Sequence, residues 1–392
     1  VGFGLCRRFV SALCVRAIGG ALNGSMVTTK AYISEVTDST NQAIAFSLIT
    51  VGWGVGAMVG PVAGGLLSSP VSKYPTVFGS MKLFETFPYL LPCLTAAMIL
   101  VIDFVLILLF MKDVKKKDNA PSTDIELTSM SRSSSTRAML SEDNEPNTEL
   151  ELEPTVPKQS VGSKFMILIK AEVLGSMAVM KNKEVAVCIV LSFLCSMIEI
   201  FQDELLPLWA MVKKEEGGLS FSTNEIGVAQ SIFGGLYLVM PLIYPPLSKW
   251  LGHLWCAKIG FIGIIVLFFT PQMALLPPNG WIWTGFVFYG TIRALTGTLT
   301  FTATFIFVSN SVETEASGRV QGVATSASSI SKAVAPLIAG PVLAMSINMG
   351  HSMPWINIPF ACFTLMTIVS LALTFLLDKS IEVPKNEHKT IE

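Results

Sequence analysis

Apolar runs of about twenty residues, each broken by only a few charged side chains, recur from one end of this chain to the other. A helix of that length crosses the ~30 Å hydrocarbon core of a bilayer with its backbone polar groups satisfied internally. A water-soluble domain carries roughly 25% charged residues instead, and its apolar residues come as short stripes. Here 51% of the 392 residues are hydrophobic and only 14% are charged, with a mean hydropathy of +0.60. The pattern reads as an all-α polytopic membrane helix bundle. It excludes a soluble enzyme, a nucleic-acid reader and a secreted domain built on disulfides. The net charge of −1 points to no polyanionic partner, and the seven scattered cysteines form no CxxC pair. His253, His351 and His388 are too far apart for a local metal motif, so neither a metal nor another cofactor is expected.

Nine candidate spans follow from the apolar runs, near Phe9–Ala31, Ala43–Leu67, Tyr89–Met111, Val185–Met211, Ile226–Leu247, Cys256–Leu276, Trp281–Ser309, Val320–Met345 and Pro354–Leu377. Residues 112–183 interrupt them. Their middle, Asp118–Gly162, is rich in Ser, Thr, Glu and Pro and is expected to be a disordered linker. Residues 164–180 are apolar but carry Lys170 and Glu172, which suits an interfacial helix lying along the membrane. With the linker and the tail from residue 379 to 392 on the cytoplasmic side, eighteen Lys and Arg fall inside, Lys30 among them, against six outside.

An internal repeat organises the spans. Arg16-Ala-Ile-Gly-Gly20 in the first is answered by Arg293-Ala-Leu-Thr-Gly297 in the seventh, at an offset of 277 residues. Ser34 answers Ser311, Gln42 answers Arg319 and, after a short slip, Gly60-Pro61 answers Gly340-Pro341. Two parallel halves, residues 1–111 and 184–378, joined by a long linker are a transporter design with its site at the midplane between them. Six spans in the second half and three in the first suggest that three further helices precede Val1 in the parent protein. No starting methionine or signal pattern contradicts that expectation.

On these residues the chain resembles the major facilitator superfamily, with that fold's fourth to twelfth helices represented. Arg16 with Gly20 is similar to its fourth-helix arginine motif, and Gly56-x3-Gly60-Pro61-x2-Gly64-Gly65 to its fifth-helix antiporter motif. More narrowly, Lys30-Ala-Tyr-Ile-Ser-Glu35, Lys73-Tyr-Pro-Thr-Val-Phe78, Phe87-Pro-Tyr-Leu-Leu-Pro92, Leu208-Trp-Ala210 with Gly217-Gly-Leu-Ser-Phe221, and Tyr244-Pro-Pro246 resemble the zinc-induced-facilitator-like family of proton-coupled exporters. The histidine-rich loop of that family has no counterpart, since no histidine precedes His253.

Each ionisable side chain inside a span costs at least ~2.5–3.5 kcal/mol at the bilayer centre and so asks for a reason. The resemblance places Arg16 and Arg293 on helices that line the central cavity, facing an anionic group or a carboxylate; a purely structural role is the alternative for both. Glu199, Gln202 and Asp203 recur at i, i+3 and i+4 and share one helix face. Glu199, furthest from the helix end, is the first choice for a proton-carrying acid, and Asn23, Gln202, Asp203 and Lys332 complete the expected substrate and proton pathway. Asp103 lies in the most apolar surroundings of any charge and is expected to be a packing or interface residue. Gly56, Gly60, Pro61, Gly64 and Gly65 form a small-residue stripe suited to close helix packing and gating.

These readings converge on a secondary active transporter, coupled to protons, that exports or exchanges a small organic solute or metal chelate as a monomer in the plasma or vacuolar membrane. The competing class is a non-transporting receptor, scaffold or inactive fragment. A channel would need a filter sequence or charge ring, and a pump would need a P-loop; the chain carries neither pattern.

Overall fold

A computed structural model describes residues 1–22, 24–111, 180–275, 280–350 and 353–385, and among these the chain is helical with no strand. The linker and interfacial-helix expectations, and Asn23, lie outside the described residues. The principal helices are α1 (Phe9–Ala21), α2 (Ser25–Val36), α3 (Gln42–Leu67), α4 (Leu90–Phe110), α5 (Lys183–Met211), α6 (Thr223–Val239), α7 (His253–Val266), α8 (Gly280–Asn310), α9 (Thr314–Met349) and α10 (Ile358–Thr374). Eight helical stretches among the described residues are long and apolar enough to cross a membrane. The ninth expected span is α10, whose 17 residues stand at the short end of the roughly 17–25 that a crossing needs.

Local chemistry explains where the helices depart from the apolar runs. The first run is two helices, because α1 ends at Ala21 and α2 starts afresh after Gly24, where glycine is the weakest ordinary helix former. α2 then continues to Val36, beyond the expected Ala31, and stops where Asp38 folds the chain back. The Asp38 carboxylate accepts from the Thr40 hydroxyl at 2.5 Å and from the N–H groups of Thr40 and Asn41 at 3.0 and 3.2 Å. The Thr40 hydroxyl foremost, and then these N–H groups, hold the carboxyl below its usual range. α6 opens on a capping box between Ser222 and Glu225. It closes early at Val239, since Pro241, Pro245 and Pro246 begin a 3₁₀ turn and the short helix Tyr244–Leu251. α9 has 36 residues, about 54 Å at 1.5 Å per residue, and so outreaches the hydrocarbon core.

The core lies in the helices that follow residue 179. α5 packs along α9 and α7 along α8, while α10 covers α5 and α7. α3 lies against α6 and α8, and α2 against α9. By contrast, Met98–Phe110 of α4 is exposed along its whole length, and Asp103 with it. An exposed apolar surface of that size is the face a membrane protein gives to lipid or to a neighbouring helix. Asp103, expected to be a packing or interface residue, thus lies on an exposed face and not in the packed interior.

Candidate functional site

Met26 of α2, Thr50 and Trp53 of α3, Glu199 of α5, Tyr237 of α6 and Lys332 of α9 line a cavity between the helices before residue 112 and those after 179. Phe301 and Phe305 of α8 supply much of its apolar wall. α5 brings Glu199 and Asp203 to one side, as residues four apart on a helix must be. Arg293 of α8 meets both from across the bundle. Its Nη2 donates to Asp203 Oδ1 and stands 3.6 Å from Glu199 Oε1. The Tyr237 hydroxyl donates to the same Glu199 oxygen. Arg293 is 2% exposed, whereas the Asp203 side chain is 39% exposed, so the cluster runs from the bundle interior toward its surface. A guanidinium held in this way keeps two carboxylates together where either alone would be costly. Gly297, one turn from Arg293, leaves the room this needs: a Cβ there would meet the Tyr237 hydroxyl at 3.0 Å.

The other expected site residues fall elsewhere. Gln202 is buried, and its Nε2 has no hydrogen-bond partner among the described residues. Lys332 lines the cavity with its Nζ 5.4 Å from the Trp53 ring centroid. Arg16 does not join Arg293: it is exposed on α1, with its guanidinium 5.6 Å from the Phe3 ring centroid. The physical reason is that α1 packs mainly on the turn Gly2–Leu5 and not on the later helices.

The glycine stripe also needs correction. A Cβ at Gly56, Gly60, Gly64 or Gly65 meets nothing within 4 Å, and the same is true at Gly20. Pro61 lies inside α3 beside them. The close approach is on the other face, where a Cβ on Gly54 would stand 2.6 Å from the Tyr237 carbonyl oxygen and one on Gly234 would stand 3.1 Å from Met58 Cα. Two residues along a helix is a turn of 200°, so the 56–60–64 stripe points away from α6.

Sequence reasoning missed Tyr237, Trp53 and the placement of Lys30. Tyr237 carried a signal, as a hydroxyl inside an apolar run wants a partner. Lys30, counted above as a loop cation, is buried within α2.

Toward one end, polar side chains join the two groups of helices and tie the tail to the second of them. Ser34 Oγ is 2.6 Å from Ser317 Oγ, and the Gln42 amide donates to Asn310 Oδ1 at 2.7 Å. Asn310 Nδ2 in turn donates to the Ile381 carbonyl at 2.9 Å. Glu382 accepts from the Leu254 N–H at 3.2 Å, and Lys385 pairs with Glu184 at 3.0 Å. The cavity is therefore shut at the end that carries the α2–α3 and α8–α9 connections and the tail.

A membrane-spanning helical bundle with a charged cavity between two helix groups is the architecture of a transporter, not of an enzyme. The model of the Major Facilitator Superfamily matches residues 2–336, and the chain belongs to that family. It is similar to Protein Zinc Induced Facilitator 1 of Arabidopsis thaliana, at 28% identity over 385 residues, covering 95% of this chain and 73% of the relative. Zinc Induced Facilitator-Like 1 of the same plant is 27% identical over 378 residues, covering 95% and 72%. A major facilitator superfamily multidrug transporter of Aspergillus fumigatus is 26% identical over 407 residues, covering 92% and 67%.

Proposed function

We propose that this transporter is a proton-coupled secondary active carrier that exports or exchanges a small organic solute or metal chelate, with Glu199 as the proton-carrying acid. The observation that carries the reading is the Glu199–Arg293–Asp203 cluster, with Tyr237, on the wall of the cavity between the helix groups. Desolvation favours a neutral carboxyl and a nearby guanidinium favours the charged form. A rearrangement that alters the Arg293–Glu199 approach changes which influence wins, and so loads or releases a proton. Residues 1–111 and 184–378 serve as the two moving halves, and the linker, the tail and the shut end of the cavity face the cytoplasm. The carrier works as a monomer in the plasma or vacuolar membrane.

The test is reconstitution of the chain in liposomes under an imposed pH gradient. Glu199→Gln keeps the shape and one hydrogen-bonding oxygen but removes titration. It is expected to abolish uphill, pH-driven transport while substrate exchange partly survives. Unchanged uphill transport by the variant would refute Glu199 as the proton site.

A further inference from the structure

Two lysines approach the cavity from opposite helix groups, and each rests on an aromatic ring of the other group. Lys332 of α9 lines the cavity, 5.4 Å from the Trp53 ring of α3. Lys30 of α2, only 7% exposed, has its Nζ 3.7 Å from the ring centroid of Phe305 on α8, itself a cavity wall. Among the described residues neither lysine is within ion-pair distance of a carboxylate. Among the described residues Glu199 is the carboxylate that lines the cavity, and it and Asp203, one turn along α5, are already engaged by Arg293. Three cations thus face two carboxylates, and the excess positive charge sits where the wall is otherwise aromatic and apolar. Lys30 is buried while Lys332 is exposed at the cavity, and for either ammonium an aromatic face is a weaker partner than a carboxylate is, so an incoming acid improves on the contacts the lysines already have.

We infer that the cavity takes a small organic anion: a carboxylate or comparable acidic group on an aromatic or otherwise apolar body. Lys332 takes the acidic group directly, Lys30 adds its field from beside Phe305, and the body lies against Trp53 and Phe301. The inference rests on reading this cavity as the transport site. It adds a consequence. Because the two lysines belong to different helix groups, a bound anion draws those groups together, so occupancy favours the arrangement with the cavity end shut.

Three probes with one ring system and different charge test it: 2-naphthoate, neutral 2-naphthamide and 2-naphthylmethylammonium, titrated calorimetrically against the full chain in nanodiscs. Naphthoate is expected to bind at least tenfold more tightly than either of the others. Lys332→Gln should remove that preference, Lys332→Arg should keep it, and Lys30→Gln should reduce it about threefold. Lys30→Gln leaves Lys332 in place, so it reports even if Lys332→Gln does not fold. Equal binding of the three probes, or a preference surviving in both Gln variants, overturns the inference. A preference for the ammonium probe, with pH-driven transport of it that Glu199→Gln abolishes, overturns the anion class and leaves the transport reading standing. Lysine-dependent naphthoate binding alongside uphill transport unchanged in Glu199→Gln supports the anion class and overturns the proton role instead.

Discussion

Alanine at Gly54 and alanine at Gly60 are the same chemical change on two faces of one helix, and the structure assigns them opposite outcomes. At Gly54 the added carbon lies 2.6 Å from the Tyr237 carbonyl oxygen, 2.7 Å from its carbonyl carbon and 3.0 Å from the Leu238 nitrogen. All three are backbone atoms of α6, so no rotamer change relieves the clash. Nonbonded carbon contacts settle near ~3.5–4.0 Å, so α3 and α6 must part by roughly half an ångström or more. Overpacking of this kind costs about 1–3 kcal/mol, and a backbone clash belongs near the top of that range. Exchange of a helical glycine for alanine returns ~0.8–1 kcal/mol, which leaves Gly54→Ala destabilised by about 2 kcal/mol. Gly60→Ala meets no atom within 4 Å and keeps the whole propensity gain of up to ~1 kcal/mol. The gap between the variants is then about 3 kcal/mol, more than a hundredfold in an unfolding equilibrium.

Equilibrium unfolding by SDS in mixed micelles, followed by tryptophan fluorescence, measures that gap directly. If Gly60→Ala were the more destabilised of the two, the contact face of α3 would be the 56–60–64 stripe and the α3–α6 packing described here would be wrong. Transport gives a second readout. Parting α3 from α6 carries Tyr237 away from Glu199, so Gly54→Ala should slow pH-driven transport while Gly60→Ala leaves it near the parent rate.

Arg293→Gln strands Glu199 and Asp203 together without their cation, and should cost about 3 kcal/mol, the low end for a broken buried pair because Asp203 is partly solvated. Neutralising all three in Arg293→Gln/Glu199→Gln/Asp203→Asn should recover more than half of that loss in the same micelle titration, and a single variant as stable as the parent would refute the cluster. Ser34→Cys with Ser317→Cys should cross-link under mild oxidation, as the two side chains already meet with their oxygens 2.6 Å apart. Mass spectrometry of the linked peptide reports the bond, which should halt transport until a reductant is added; no link would mean the cavity end is not shut there.

Eight of the nine expected spans and the charged residues of the α5–α8 cluster were legible in the chain because both rest on one-dimensional signals. Apolar length reveals a crossing helix, and Glu199, Asp203 and Arg293 stand out because a charge in such a run demands compensation. The contact face of α3 was not legible for a physical reason. Gly52, Gly54, Gly56, Gly60, Gly64 and Gly65 are spread around a helix that is apolar on every side, so nothing in its pattern singles out the face that meets α6. The repeat misled in the same way. Arg16 and Arg293 share a motif, yet their environments differ because α8 is enclosed by α5, α6 and α7 while α1 is not. The shut end is the extreme case. Gln42, Asn310 and Ile381 come from three distant segments and make a chain of two hydrogen bonds, with each residue unremarkable in its own neighbourhood. An amide presents a donor and an acceptor on one rigid plane. The tail carbonyl that takes Asn310 Nδ2 therefore also leaves Oδ1 aimed at Gln42, and a segment outside every span helps to orient the contact between the two helix groups.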